Sequence, residues 1–326
     1  MTPADLSLTV LHAVRRAVDD GALRVDVPPR VKVERARPGG TGEYASNIAL
    51  TLARPAGRSA LDVAGILEER LRDAPGLRGV EITGPGFLNF TLRRDAGGEL
   101  VREILAAGAG QGSAYGSGSA LAGTTVRFAR PVEPRAVLVT ETVVRLLRAH
   151  GADAGFGGAE RIHVRPGAYE PDVLGVDAAR WALLRSAPQD RPLDGPSLLV
   201  QHERNSLFRV RYAYSRVRRL LVNGAQLGIT PFYEDETSVD APELLGLLGD
   251  HPAVLLAAAR HRAPDRVARH VEATADALLA FQHTVLPLGD EKPSAAHRSR
   301  LALAEAAGTV LAGGLSVLGI SAPDRI

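Results

Sequence analysis

"RFARPVEPRAVLVTETVVRLLRAHGADAG", residues 127–155, decides how the middle of this 326-residue chain is built. Val126 and Phe128 alternate as a strand, a loop with two prolines follows, and apolar residues from Val137 to Leu147 recur at helical spacing. A strand, a loop and a long helix in that order open an α/β domain of the nucleotide-binding kind. Yet the loop Arg130–Val137 holds neither glycine nor histidine, so the frame is present without the groups that would close on phosphates. Arg130 and Arg135 are its only cations, and any residual nucleotide binding would fall to them.

Upstream of that stretch the periodicities alternate. Leu11, Val14 and Val18 mark an amphipathic helix ending near Gly21, and "RVKVER" (30–35) alternates as a strand. "GEYASNIALTLA" (42–53) reads as helical, as does "SALDVAGILEERLRDA" (59–74), which Ser59 opens with Asp62 three residues on. "GVEITGPGFLNFTLRR" (79–94) is the plainest β signal, two alternating runs joined by Gly-Pro-Gly. These make a small α/β module. Residues 108–124 are rich in Gly and Ser without periodicity and read as a linker.

Downstream of Asp172 nearly everything is helical. In "PSLLVQHERNSLFRVRYAYSRVRRLLVNGA" (196–225), Leu207, Val210, Tyr214, Val217 and Leu221 form a core stripe, flanked by Arg204, Arg211 and Arg218 on one side and Arg209 and Arg216 on the other. Further helical stretches fall near 251–262, 264–285 and 295–317, so this half is a helical bundle. The fold class is therefore α+β: a small N-terminal α/β module (1–107), a linker with a truncated Rossmann stub (108–172) and a C-terminal all-α bundle (173–326).

Composition agrees with a globular protein of two domains: 45% of residues are hydrophobic and 23% charged. No apolar run approaches the length of a membrane span, and no cysteine or signal-like segment occurs, so the expectation is a cytoplasmic protein without membrane contact. Net charge is +2, but Lys32 and Lys292 are the only lysines, so positive charge is almost wholly arginine, the side chain best shaped for phosphate. The nine histidines are scattered without metal-ligand spacing, no Gly-Lys-Ser/Thr loop is present, and no carboxylate pair stands out as acid and base. Neither a metal, a cofactor nor a catalytic residue is assigned.

Several ordered motifs carry a resemblance. "VERARPGGTGEYASNIALTLA" followed by "GVEITGPGFLNFTL" resembles the N-terminal domain of arginyl-tRNA synthetases, and "GVDAARWALLRSAPQDRPLD", "NSLFRVRYAYSRVRRLL" and "RLALAEAAGTVLAGGLSVLGISAPDRI" resemble that family's passage into its helical anticodon-binding domain. The match covers roughly 25–128 and 173–326. It implies that the bundle is of the class I anticodon-binding (DALR) type, and that Phe87 and Asn89 stand where the family meets the tRNA corner. It further implies an RNA-facing role for Tyr212 and Arg216, with Arg209 and Arg211 beside them on the same helix. The family's His-Ile-Gly-His and Lys-Met-Ser-Lys-Ser signatures are absent, and Gly155 to Arg161 leaves no room for a complete catalytic domain. The pair Phe281-Gln282 departs from the family's Phe-Tyr.

On this resemblance the expected partner is tRNA, arginine tRNA included, and the chain is expected not to be an enzyme but a non-catalytic relative that holds or presents tRNA. A scaffold that docks on a partner enzyme with RNA binding lost is the alternative, and a tRNA-dependent transferase of unrelated chemistry is a third.

Overall fold

The computed structural model describes residues 3–36, 41–74, 76–92, 96–110, 115–234 and 239–326. The Arg37–Gly40 part of the first family motif and residues 111–114 of the Gly/Ser stretch lie outside them. The chain divides into two compact units, Met1–Leu100 and Val101–Ile326.

The first unit sets helices against a sheet. Helix α1 (Pro3–Asp19) ends before Gly21, whose φ of +71° turns the chain back. Strands β1 (Glu34–Arg35), β2 (Tyr44–Ser46), β3 (Leu77–Thr83) and β4 (Phe87–Leu92) form an antiparallel sheet in the order β1-β2-β4-β3. Helices α2 (Ile48–Ala56) and α3 (Ala60–Leu71) complete the unit, and Leu6, Val10, Leu67, Leu88 and Phe90 meet in its core. Ser59 caps α3 as its spacing predicts, its side chain accepting from the Asp62 N–H at 3.1 Å.

Two expectations change here. The helix expected over 42–53 starts only at Ile48, because Tyr44 and Ser46 pair with Phe90 and Leu88 of β4. The buried Ser46 hydroxyl donates to the Lys32 carbonyl at 2.7 Å and accepts from the Ile48 N–H, so sheet pairing overrides helix propensity up to that residue. Of the strand expected over 30–35, only Glu34 and Arg35 pair.

The second unit begins with α4 (Ala96–Ala109), which spans the division between the two, and continues with β5 (Thr125–Phe128), α5 (Pro134–Ala149) and β6 (Asp153–Phe156). Strands β5 and β6 are parallel, with Thr125 opposite Asp153 and Phe128 opposite Phe156, so the stub is a genuine βαβ unit. The described part of the Gly/Ser stretch is packed rather than a free tether. Tyr115 is buried, donates to the Leu248 carbonyl at 3.2 Å and stacks on His251 at 5.9 Å, while the Gly118 and Leu121 amides cap the end of α5 through the Ala149 and His150 carbonyls. Small residues let this path run close to the helices.

Arg135 is not an exposed loop cation. It lies in the first turn of α5, fully buried, and donates to five carbonyls: Leu183, Arg165, Asp190, Ser186 and Ala187, at 2.6–3.1 Å. Burial pushes its guanidinium pKa down from the ordinary value. Beside it Glu133 caps α5 through the Ala136 N–H and also accepts from the Gly167 N–H at 2.8 Å. The two side chains sew residues 165–190 onto α5, so the irregular segment following β6 is held where the chain passes directly to the helical part. A nucleotide could reach Arg130, whose guanidinium lies 5.3 Å over the Phe156 ring, but not Arg135.

The bundle follows: α6 (Pro171–Leu174), α7 (Val176–Leu184), α8 (Ser206–Gln226), α9 (Pro242–His261), α10 (Asp265–Phe281) and α11 (Ala295–Leu318). On α8 the buried stripe is Leu207, Val210, Ala213, Val217, Leu220 and Gly224. Tyr214 and Leu221, expected in that stripe, are only half-buried, because the buried face keeps spacings of 3, 3, 4, 3 and 4, and Ala213 and Leu220 take their places. Helix α11 is long and apolar enough to cross a membrane, yet 67% of that stretch is buried within the protein, as the central helix of a bundle must be.

Candidate nucleic-acid interface

In the first unit the β3–β4 hairpin presents Phe87. Gly86 precedes it at φ +127°, and a Cβ there would fall 2.8 Å from the Ala60 carbonyl oxygen, so the turn requires glycine and sits against the start of α3. Phe87 is 39% exposed, an aromatic face open to a base. Asn89 lies on the same face of β4 but is 7% exposed, its amide nitrogen donating to Thr83 Oγ1 at 2.6 Å and facing the Glu81 carbonyl at 3.5 Å. In this structure Asn89 braces the hairpin that carries Phe87.

In the second unit the candidate residues belong to α8, and the cap of that helix explains their placement. Asn205 accepts from the Phe208 N–H at 3.1 Å and donates to the Leu198 and Val200 carbonyls at 2.8 and 2.9 Å, which ties a 3-10 turn (Pro196–Leu199) to the helix start. Trp181 of α7, fully buried, donates to Ser206 Oγ at 2.9 Å. With its first turn fixed, α8 aims its buried stripe inward and its arginines along two flanks.

The flanks differ. Towards α10, Arg209 makes a two-point pair with Asp276, Nε to Oδ1 at 2.8 Å and Nη2 to Oδ2 at 3.3 Å, and donates to the Glu203 carbonyl at 2.7 Å. Arg216 on the same side donates to Gln282 Oε1 at 2.8 Å, so the glutamine that departs from the family's pair has taken up the arginine. Towards α7, Arg211 approaches Asp177 at 3.6 Å and Ser321 Oγ at 3.5 Å. Between α7, the 3-10 turn and α8 opens a cleft of about 340 Å³ whose walls include Val176, Asp177, Val200, Phe208, Arg211 and Ile326. Phe208 is stacked on Tyr212 with centroids 5.6 Å apart and planes 17° from parallel, and Tyr212 is 38% exposed.

Of the expected α8 residues, only Arg211 lines this cleft, and Tyr212 stands behind it stacked on Phe208, whereas Arg209 and Arg216 face α10 and the turn that follows it. Sequence reasoning passed over Phe208 and Asp177. Phe208 and Tyr212 are an i, i+4 aromatic pair, a signal that was present, while Asp177 and Ile326 reach the cleft only through tertiary folding. Chemically the cleft offers an aromatic ring backed by a second, a carboxylate, a guanidinium and apolar walls, a set that suits an unstacked base with its phosphate nearby.

Both units match domain families of tRNA-handling proteins. Residues 8–92 match the family described as the arginyl tRNA synthetase N terminal domain, and residues 210–326 match the DALR anticodon binding domain. The chain is 38% identical over 208 residues to an arginine–tRNA ligase of Frankia alni, a match covering 60% of this chain and 35% of the ligase. With the ligase of Micrococcus luteus it shares 42% over 168 residues, 47% of this chain and 30% of the relative. The chain thus spans about a third of the length of these curated relatives. An alignment with the Pseudarthrobacter chlorophenolicus ligase covers both chains entirely at 25% identity and runs to 559 residues. The fold is that of the Thermus thermophilus arginyl-tRNA synthetase, TM-score 0.72 at 12% identity over all of both chains, and of the Plasmodium falciparum enzyme, TM-score 0.67 at 8% identity over 99% of each. The chain carries, in a truncated form, the N-terminal and anticodon-binding domains of the arginyl-tRNA synthetase family. One expectation is corrected by these relatives: a chain expected not to be an enzyme has its kinship with enzymes, each of them named as a ligase or synthetase.

Proposed function

We propose that this chain binds tRNA at two places, the outer corner through the β3–β4 hairpin and the anticodon stem-loop through α8, and presents it to a partner protein in the cytoplasm. The observation that carries this reading is the presence in one chain of both matched domains, N-terminal and anticodon-binding. Phe87 supplies the stacking face at the corner, with Asn89 holding its hairpin. Arg211 supplies charge at the α8 cleft and Tyr212 a stacking face behind it, and Arg209 and Arg216 extend the positive helix face on its far side. Arginine tRNA is the specific substrate this reading names. Purification from the native host followed by sequencing of the bound RNA tests it: enrichment of arginine tRNA supports the reading, and a preparation free of tRNA refutes it.

A protein-docking scaffold is the second reading. It draws on the internal engagement of Arg209 and Arg216 by Asp276 and Gln282, which leaves fewer cations for phosphate, and on exposed apolar side chains such as Phe232.

A further inference from the structure

The segment that follows α11 lies along the outer face of α8. Gly319 ends α11 at φ +71°, where a Cβ would come within 2.6 Å of the Arg180 guanidinium, and Arg180 Nε donates to the Leu318 carbonyl at 3.1 Å. Ser321 is then pinned by Asp177, its N–H to Oδ1 at 3.0 Å and its hydroxyl to Oδ2. Three residues on, the Asp324 carboxylate pairs with Arg218 Nε at 3.0 Å, and the Asp324 carbonyl accepts from Ser215 Oγ at 3.2 Å.

The two tracks match in length. Arg211, Ser215 and Arg218 share one helix face over about 10 Å at 1.5 Å per residue. Ser321 to Asp324 spans about 10 Å if extended, and Pro323 biases Ala322 towards extended backbone. The near end is held by the part-buried Asp177–Arg211 pair, whereas at the far end Asp324 and Arg218 are 65% and 47% exposed. An exposed pair of that kind contributes little stability, so a competing anion displaces it easily.

Resting on the tRNA-binding reading above, we propose that residues 321–326 are a displaceable strap: Asp324 occupies on Arg218 the place of an RNA phosphate, and binding exchanges the carboxylate for a phosphodiester while Asp177 keeps the strap tethered. The strap sets a threshold against weak, non-specific RNA, since a ligand must displace it to reach the outer row of cations.

The test compares the parent chain with Asp324→Asn, using bulk tRNA in filter binding across a salt series. Asp290→Asn, at an exposed position remote in sequence, gives the generic effect of losing one negative charge. Asp324→Asn is expected to bind up to about fivefold more tightly than the parent. Its log K against log salt is expected to be steeper than the parent's, because rising salt screens the Asp324–Arg218 pair that only the parent must break and so shrinks the gain. Adding Arg218→Ala should abolish both gains. The strap is refuted if the parent binds tRNA and Asp324→Asn binds equally, more weakly, no better than Asp290→Asn, or more tightly with an unchanged slope. If neither parent nor variant binds tRNA, the underlying reading fails and the strap with it.

Discussion

Arg135→Met removes the cation that five buried carbonyls share while keeping an unbranched apolar stem in its place. Hydrogen bonds to a charged donor contribute about 1.5–3 kcal/mol each. The carbonyls left behind are neutral and local opening lets water reach some of them, so the losses do not add, and breaking one side of a buried charge pair, which costs about 3–5 kcal/mol, sets the scale. The expected loss is therefore about 4–5 kcal/mol rather than the sum of five bonds. Arg135→Lys keeps the charge with three donors in place of five and should fall between parent and Arg135→Met. Trp181, the only tryptophan, is fully buried two residues from the Leu183 carbonyl and reports on this unit by fluorescence. With a urea slope of about 3 kcal/mol/M, the tryptophan-detected midpoint should drop by more than about 1 M, and hydrogen exchange should quicken across 165–190 first. An Arg135→Met midpoint within about 0.2 M of the parent at unchanged slope would show that the carbonyl web does not hold the segment.

Acid should loosen the second unit. His251 is buried between Tyr115 and His270, its ring nitrogens find no hydrogen-bond partner among the described residues, and burial first, then His270, lowers its pKa to about 3. The folded state thus binds this proton less readily than the unfolded chain, so the stability is complete above about pH 6.5 and falls by roughly 1.4 kcal/mol per unit below it, until the pH nears the folded value. His150, lowered chiefly by burial, adds in the same direction, while Glu305, whose carboxyl burial raises, opposes it. Urea midpoints of His251→Phe that fall as steeply as the parent's between pH 6.5 and 5 would contradict this assignment. Phe87→Ala should leave stability within about 0.5 kcal/mol and weaken tRNA binding by about 1–3 kcal/mol, whereas Asn89→Ala should cost about 1 kcal/mol of stability in the first unit; calorimetry with filter binding separates the two, and the reverse pattern would place Asn89 on the RNA. Asn205→Ala removes a cap bonded in three directions and should lower the second unit's stability by about 1–2 kcal/mol, with a change below about 0.3 kcal/mol in the tryptophan-detected transition counting against its role.

How much of this was legible beforehand differs by element. The β3–β4 hairpin and the Ser59 cap were, because Gly-Pro-Gly between alternating runs and Ser before a helical period are chemical statements made within a few residues. So were the strand and helix that open the stub and the helices of the bundle, whose periodicity is local, whereas β6 and its parallel pairing came only with the structure. Residues 44–46 were misread because a helix-compatible string can be drawn into a sheet by strand pairing, here with Phe90 of β4, more than forty positions away.

The candidate site divides in the same way. The sequence by itself determined that an aromatic stands at 87, that arginines and an aromatic pair line the helix from 206, and that the stub's loop lacks phosphate-holding groups. Only the tertiary structure decided which of those side chains are available. It turned Asn89 inward to Thr83, engaged Arg209 and Arg216 with α10, buried Arg135 among carbonyls from residues 165–190, and laid Asp324 on Arg218. The physical reason is that a residue's type and helical phase are properties of its near neighbours, whereas the partner that satisfies a charge or an amide comes from wherever the chain returns.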